Sequence, residues 1–400
     1  IDAEVLGTDP AVILYTSGTT GFAKGVVLTH RNIVDDLMMA PTILNVNPED
    51  IFFSVLPVHH TYECTCAFLM PLYKGASIAF CEGLKYITKN LQEIRPTMLL
   101  GVPVLIETLY KKIWKTAKSE GKDKKLEKLM KLNKKTKKLN INIAKKLAKD
   151  ILDVFGGRMR VLISGGAAID PKILQFFNDL GIIAVQGYGL TECSPMTALN
   201  PDVEKDMKNE SVGHLLPGMK VKIVDADEEG IGEICFKGPN VMLGYYNNQE
   251  ATDEVLKDGW FHTGDLGRVD TDSFIYITGR KKNVIITENG KNVFPEELEY
   301  ELSHIPYIAE SMVWGDNEGE GVNNTTIAAT VTLDDEEVKE VLGEEYTDEQ
   351  AQNLVWGEID KINERLPLFK KIKKLNIRKT DFNKTTGMKI KRFVESNKDA

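Results

Sequence analysis

Residues 15–26 read YTSGTTGFAKGV, in which Gly18 and Gly21 are set among hydroxyl side chains ahead of Lys24. Such a loop can turn its backbone N–H groups and the hydroxyls of Thr16, Ser17, Thr19 and Thr20 onto a polyphosphate, because glycine permits positive φ and close approach. Lys24 adds a mobile point charge. The apolar runs Val12-Ile13-Leu14 and Val26-Val27-Leu28 on either side read as buried strands. The loop is not a Walker A motif, since Ala23 stands where glycine must precede the lysine. Taken alone, it also reads as a Ser/Thr/Gly-rich hairpin turn.

Five further segments follow in order: LPVHHTYE (56–63), SGGAA (164–168), GYGLTE (187–192), DGWFHTGDLG (258–267) with YITGRKKNVIITENGKN (276–292), and KTTGMKIKR (384–392). Together with the first loop they resemble the adenylate-forming, AMP-binding superfamily, and within it the long-chain fatty acid–CoA ligases. The resemblance runs from residue 1 to about residue 395 and rests on independent motifs at plausible spacing. It implies ATP-dependent conversion of a medium- to long-chain fatty acid to an acyl-adenylate with pyrophosphate release, then transfer to the CoA thiol. ATP, Mg²⁺ and CoA are the implied cofactors.

The resemblance also distributes roles. Thr16 to Lys24 match the pyrophosphate cradle, and Thr16 matches a hydroxyl that contacts the metal. Glu192 matches the glutamate that holds Mg²⁺, with Thr191 beside it; an oxygen ligand suits that ion. Gly165, Gly166 and Ala167, with Gly187, Tyr188 and Gly189, take the adenine role, Tyr188 by stacking. Asp265 matches the carboxylate that accepts the ribose hydroxyls, and Arg280 a second ribose or phosphate contact. His60 falls between the acyl and nucleotide pockets, where gating suits it better than proton transfer, because an ionised carboxylate needs no general base. Lys389 matches the catalytic lysine that bridges acid and α-phosphate; Lys384 and Lys391 are its rivals, and Arg392 fits the motif's closing arginine. Lys282 matches the hinge, and Gly290 and Lys291 the CoA channel.

Two other readings stay open on the residues alone. One is an acyl-AMP ligase that loads an acyl carrier protein. The other is a non-catalytic acyl-lipid binding or membrane scaffold protein, which the joint presence of Thr16, Lys24, Glu192, Asp265 and Lys389 disfavours.

These residues need a frame to hold them. From Val12 to about Val185 strand-like runs alternate with helical ones, which predicts a mostly parallel sheet with helices on its faces. Ligands in such sheets bind beyond the carboxyl ends of the strands, where SGGAA and GYGLTE fall. From Val221 to Ile277 short runs between Asp/Gly turns predict a small antiparallel sheet or barrel. The expected fold is therefore α/β, with an AMP-binding N-terminal domain over 1–281 and a smaller, mobile α+β domain over 282–400.

Four hundred residues exceed one ordinary core. The chain opens on Ile, and members of the resembled family carry a further N-terminal portion, so it is expected to be N-terminally incomplete. Five scattered cysteines argue against a disulfide framework and for a reducing cytoplasm. No apolar run reaches the roughly 18–20 residues of a membrane span. Residues 111–150 hold 16 Lys against 4 Asp/Glu, within an overall charge of −9. Leu126, Leu129, Leu132, Leu139, Ile143 and Leu147 recur there at helical spacing, which predicts amphipathic helices. Few aromatics interleave the lysines, so nucleic acid is not expected, and an anionic membrane surface fits the basic face better.

Overall fold

A computed structural model describes residues 4–17, 23–136, 153–287, 290–316, 325–384, 390–392, 394 and 398. Its largest sheet has seven strands, in the order Ser77–Phe80, Ile51–Ser54, Met98–Gly101, Val161–Ser164, Ile183–Gly189, Met196–Leu199 and His214–Leu215. The first five are parallel to one another, and the last two add on antiparallel. Helices Ile87–Ile94, Pro103–Ser119 and Pro171–Asp179 lie between successive parallel strands.

The β-branched and aliphatic runs form these strands because both faces are covered. Every residue of Met98–Gly101 and of Val161–Ser164 is buried. Alternation splits them between two cores: Phe52, Leu100, Ile163 and Val185 face one side, while Phe53, Leu99, Leu162 and Ala184 face the other. Asp170 caps the helix at Pro171 by accepting Lys172 N–H at 2.8 Å, as the Asp-Pro pair predicts.

The region from Val221 to Ile277 is antiparallel, as expected. Lys220–Val224, Gly232–Lys237, Trp260–Val269 and Leu256–Lys257 pair in that order, with Ile275–Arg280 added to Trp260–Val269. The first glycine-rich loop joins Pro10–Ser17 to Ala23–Thr29, an antiparallel hairpin that Gly244–Tyr245 extends. A separate core over Ile285–Leu375 gathers Leu298, Val313, Ala329, Val355 and Ile359. It lies between helices Pro295–Leu302 and Asp348–Arg365 and a three-stranded sheet.

The lysine-rich segment is helical over Pro103–Ser119 and Asp123–Thr136. Leu126 and Leu129 are buried there, as the periodicity predicts, while Lys124, Lys125 and Lys128 are exposed. The expected positions Leu139, Ile143 and Leu147 lie outside the described residues.

Asp36 is fully buried. Its Oδ1 accepts from Met196 N–H at 3.3 Å and Asn240 Nδ2 at 3.0 Å, whereas Oδ2 has no hydrogen-bond partner. Burial raises its pKa from 3.8 to about 8, outweighing those two donors. The folded chain then binds more protons than the unfolded one between those two values, so stability falls as pH rises through that window. Asp36→Asn keeps the shape and cannot ionise. Thermal melts between about pH 5 and 8 should show the variant gaining on wild type as pH rises. A wild-type-minus-variant difference that does not change with pH would refute the assignment.

Candidate functional site

Three strand ends of the large sheet deliver the motif residues. Ser54 leads to His59 and His60, Ser164 to Gly165, Gly166 and Ala167, and Gly189 to Thr191 and Glu192. His59 and His60 are exposed, with ring centroids 5.3 Å apart, and Cys64 N–H donates to the His60 carbonyl at 2.8 Å. The helix that follows, Tyr62–Leu69, is π-helical, a form that recurs at functional sites. Its Glu63 is buried, accepts the Ser54 hydroxyl at 2.5 Å, and has a pKa raised by burial to about 7. That residue stood inside the LPVHHTYE motif, yet nothing in its type marked it as a tie between helix and strand end.

Small residues at this rim meet a demand of the fold itself. A Cβ on Gly165 would lie 2.8 Å from the Tyr62 ring, and one on Gly189 would lie 2.2 Å from the Pro195 carbonyl oxygen. Gly166 and Ala167 are exposed.

Asp265 is the centre of the polar cluster. It is buried, and it sits opposite Arg280 in the pairing of Trp260–Val269 with Ile275–Arg280. Arg280 Nε lies 2.7 Å from Asp265 Oδ1. The Tyr188 hydroxyl donates to Asp265 Oδ2. Burial, followed by the neighbouring Asp265 charge, raises the Tyr188 pKa, so the phenol stays protonated. Burial works against the Arg280 charge, but Asp265, Tyr188 and Glu192 together raise its pKa. The Tyr188 ring packs tilted against Phe236, with centroids 6.0 Å apart. Tyr188 therefore orients Asp265 here, a duty its expected stacking role did not include.

A second cluster adjoins it. The Tyr245 hydroxyl donates to Glu192 Oε1 at 2.9 Å, and Lys24 Nζ stands 4.9 Å from the Tyr245 ring centroid. Thr16 is the register partner of Lys24. Burial first, then Glu192, pushes the Tyr245 pKa up. Ser17 ends its strand, while Gly18, Thr19, Thr20 and Gly21 lie outside the described residues.

Lys282 sits in the single turn Lys281–Asn283, directly after Arg280. Gly290 and Lys291 belong to an exposed turn in which Thr287 accepts Lys291 N–H at 3.2 Å. Lys389 lies outside the described residues. Its rival Lys384 is engaged, with Nζ 2.6 Å from Glu310. Arg392 ion-pairs with Glu299 and donates to the Val313 carbonyl at 2.9 Å, which fastens the chain end to the C-terminal core.

Glu233, Cys235 and His262 place one donor atom each within 4.8 Å of the others. That set has the chemistry of a zinc site, but the chain supplies its own cation, Lys281 Nζ, at 3.1 Å from Glu233 Oε2. The five cysteines are free thiols.

The sequence pattern of the AMP-binding enzyme family matches residues 2–246. The whole chain is 30% identical to the long-chain-fatty-acid–CoA ligase FadD15 of Mycobacterium bovis, of which it spans 69%. Over 86% of its length it is 33% identical to fatty acyl-CoA synthetase A of Dictyostelium discoideum, of which it spans 53%. Among solved structures, ATP-bound MatB from Rhodopseudomonas palustris superposes with a TM-score of 0.74 at 29% identity, covering 100% of this chain and 70% of that one.

Proposed function

The chain belongs to the AMP-binding enzyme family, and on that premise we propose that it activates a medium- to long-chain fatty acid with ATP and passes the acyl group to CoA. The observation that carries the reading is the adjoining pair of clusters, Tyr188–Asp265–Arg280 and Lys24–Tyr245–Glu192. One offers a buried, oriented carboxylate suited to ribose hydroxyls, and the other gathers an acid and an ammonium around one tyrosine, Tyr245, groups that a metal–polyphosphate needs.

In the first step a fatty carboxylate oxygen attacks the α-phosphorus of ATP and pyrophosphate leaves. In the second the CoA sulfur attacks the acyl carbon and AMP leaves. Asp265 accepts the ribose hydroxyls, Arg280 holds Asp265 and faces ribose or phosphate, and Lys24 with the loop from Thr16 to Gly21 cradles pyrophosphate. Gly165, Gly166, Ala167, Gly187 and Gly189 border the adenine. Glu192 and Thr16 offer carboxylate and hydroxyl oxygens, the donors Mg²⁺ takes; the ion neutralises phosphate charge when bound. Lys389 stabilises the developing charge on the α-phosphate, His60 gates the acyl side, and residues 282–400 swing about Lys282 to bring Gly290 and Lys291 to the thiol route. Pyrophosphate release by the full-length protein across a series of carboxylic acids tests this reading.

No helix among the described residues is long and apolar enough to cross a membrane. The exposed lysines of Asp123–Thr136 instead suit peripheral contact with anionic lipid, about 1 kcal/mol per basic residue near the surface. Full-length protein should pellet with phosphatidylglycerol vesicles at low salt and be released near 1 M, where the Debye length is about 3 Å. Replacing Lys124, Lys125, Lys128 and Lys131 with Gln should weaken pelleting; equal pelleting would leave a plain solvated face.

A further inference from the structure

Strand Trp260–Val269 does not pair evenly with Gly232–Lys237. Glu233 stands opposite Leu266, but Cys235 stands opposite His262, so Trp260–Val269 carries the extra residues between those pairs. The excess is a bulge over Thr263, Gly264 and Asp265, and Gly264 adopts φ +70° there. A bulge breaks the ladder and re-aims the side chains beside it. The side chain re-aimed here is Asp265.

Two groups close the bulge. The Thr263 hydroxyl donates to the Ile234 carbonyl at 2.7 Å and accepts Asp265 N–H at 2.9 Å. Glu233, buried, reaches into the bulge and accepts Gly264 N–H on Oε1 at 3.1 Å. Its other oxygen lies 3.1 Å from Lys281 Nζ and 3.3 Å from His262 Nδ1. One carboxylate therefore holds the residue before Asp265 and the residue after Arg280. Burial works against its charge, but Lys281 and then His262 bring its pKa below the ordinary value.

We propose that Glu233 is a positioning residue with two separable duties: its contact with Gly264 aims the ribose carboxylate Asp265, and its ion pair with Lys281 anchors the base of the hinge turn. This rests on the proposed roles of Asp265 and Lys282. Nucleotide binding and the swing of the C-terminal part then share one structural tie.

Three variants of the full-length protein separate the duties, read by AMP titration calorimetry and by single-turnover thioester formation from supplied acyl-adenylate. Glu233→Leu removes both contacts and should weaken AMP binding about tenfold, the scale of one lost buried hydrogen bond, as well as slowing thioester formation. Glu233→Gln still offers an oxygen to Gly264 N–H but loses the charge that holds Lys281. It should keep AMP affinity within about twofold of wild type and slow the thioester step, and Lys281→Met should do the same. If the Leu variant does not fold, the Gln and Met variants still decide. Wild-type thioester rates in both would overturn the hinge duty, and an unchanged AMP affinity in a folded Leu variant would overturn the duty toward Asp265. If wild-type protein itself fails to bind AMP, the adenylation reading falls instead.

Discussion

Lys389→Ala is expected to cut acyl-adenylate formation by about 10²–10³-fold, the usual loss when one preorganised charge-stabilising donor is removed. Thioester formation from a supplied acyl-adenylate should stay close to wild type. Lys389 is assigned to the first transition state alone, and a group that does not contact a step should not change its rate. Stopped assays of the two half-reactions, run separately, check this. If both fall together, Lys389 is structural or misassigned. Lys384 and Lys391 are then the next residues to test.

The hinge makes the complementary prediction. Lys282 occupies the second place in the turn Lys281–Asn283, where a proline is tolerated as it is in the first turn of a helix. Lys282→Pro should therefore fold in the pose described, with φ locked near −65°. Rotation about that residue is then lost, and with it the second pose. One half-reaction should then fail, with thioester formation the expected one, while the other survives. Equal loss of both with an unchanged melting temperature would put the pivot elsewhere.

Much of the frame was readable because burial leaves a plain record in residue type. Met98–Gly101 and Val161–Ser164 are apolar runs covered on both faces, and Asp170-Pro171 announced a helix start that its cap confirms. The antiparallel texture after Val221 was equally visible, since Asp/Gly turns punctuate it. Site residues were a different matter. Asp265 in a turn before Leu-Gly is unremarkable as a residue type, and only the resemblance singled it out; what orients it, Tyr188 from a different sheet, is a fact of packing.

Glu233 and Glu63 were harder still. A glutamate within a strand or beside a histidine pair carries no local mark. Their roles come from partners 31 residues away in Gly264 and 9 residues away in Ser54. The glycines show the opposite limit. Gly165 and Gly189 suggested close approach by a base, and the structure adds a demand from the fold itself, because Tyr62 and the Pro195 carbonyl fill the space a side chain would need.

The central claim is that the clusters around Asp265 and Glu192 serve adenylation, and pyrophosphate release is its direct readout. Full-length protein supplied with ATP, Mg²⁺ and a series of carboxylic acids, without CoA, should release pyrophosphate with medium- and long-chain fatty acids. Asp265→Ala should abolish that release, since it deletes the carboxylate on which Tyr188 and Arg280 converge. ATP binding with no acid-dependent pyrophosphate release from any member of the series would contradict the account and favour a binding or scaffold role.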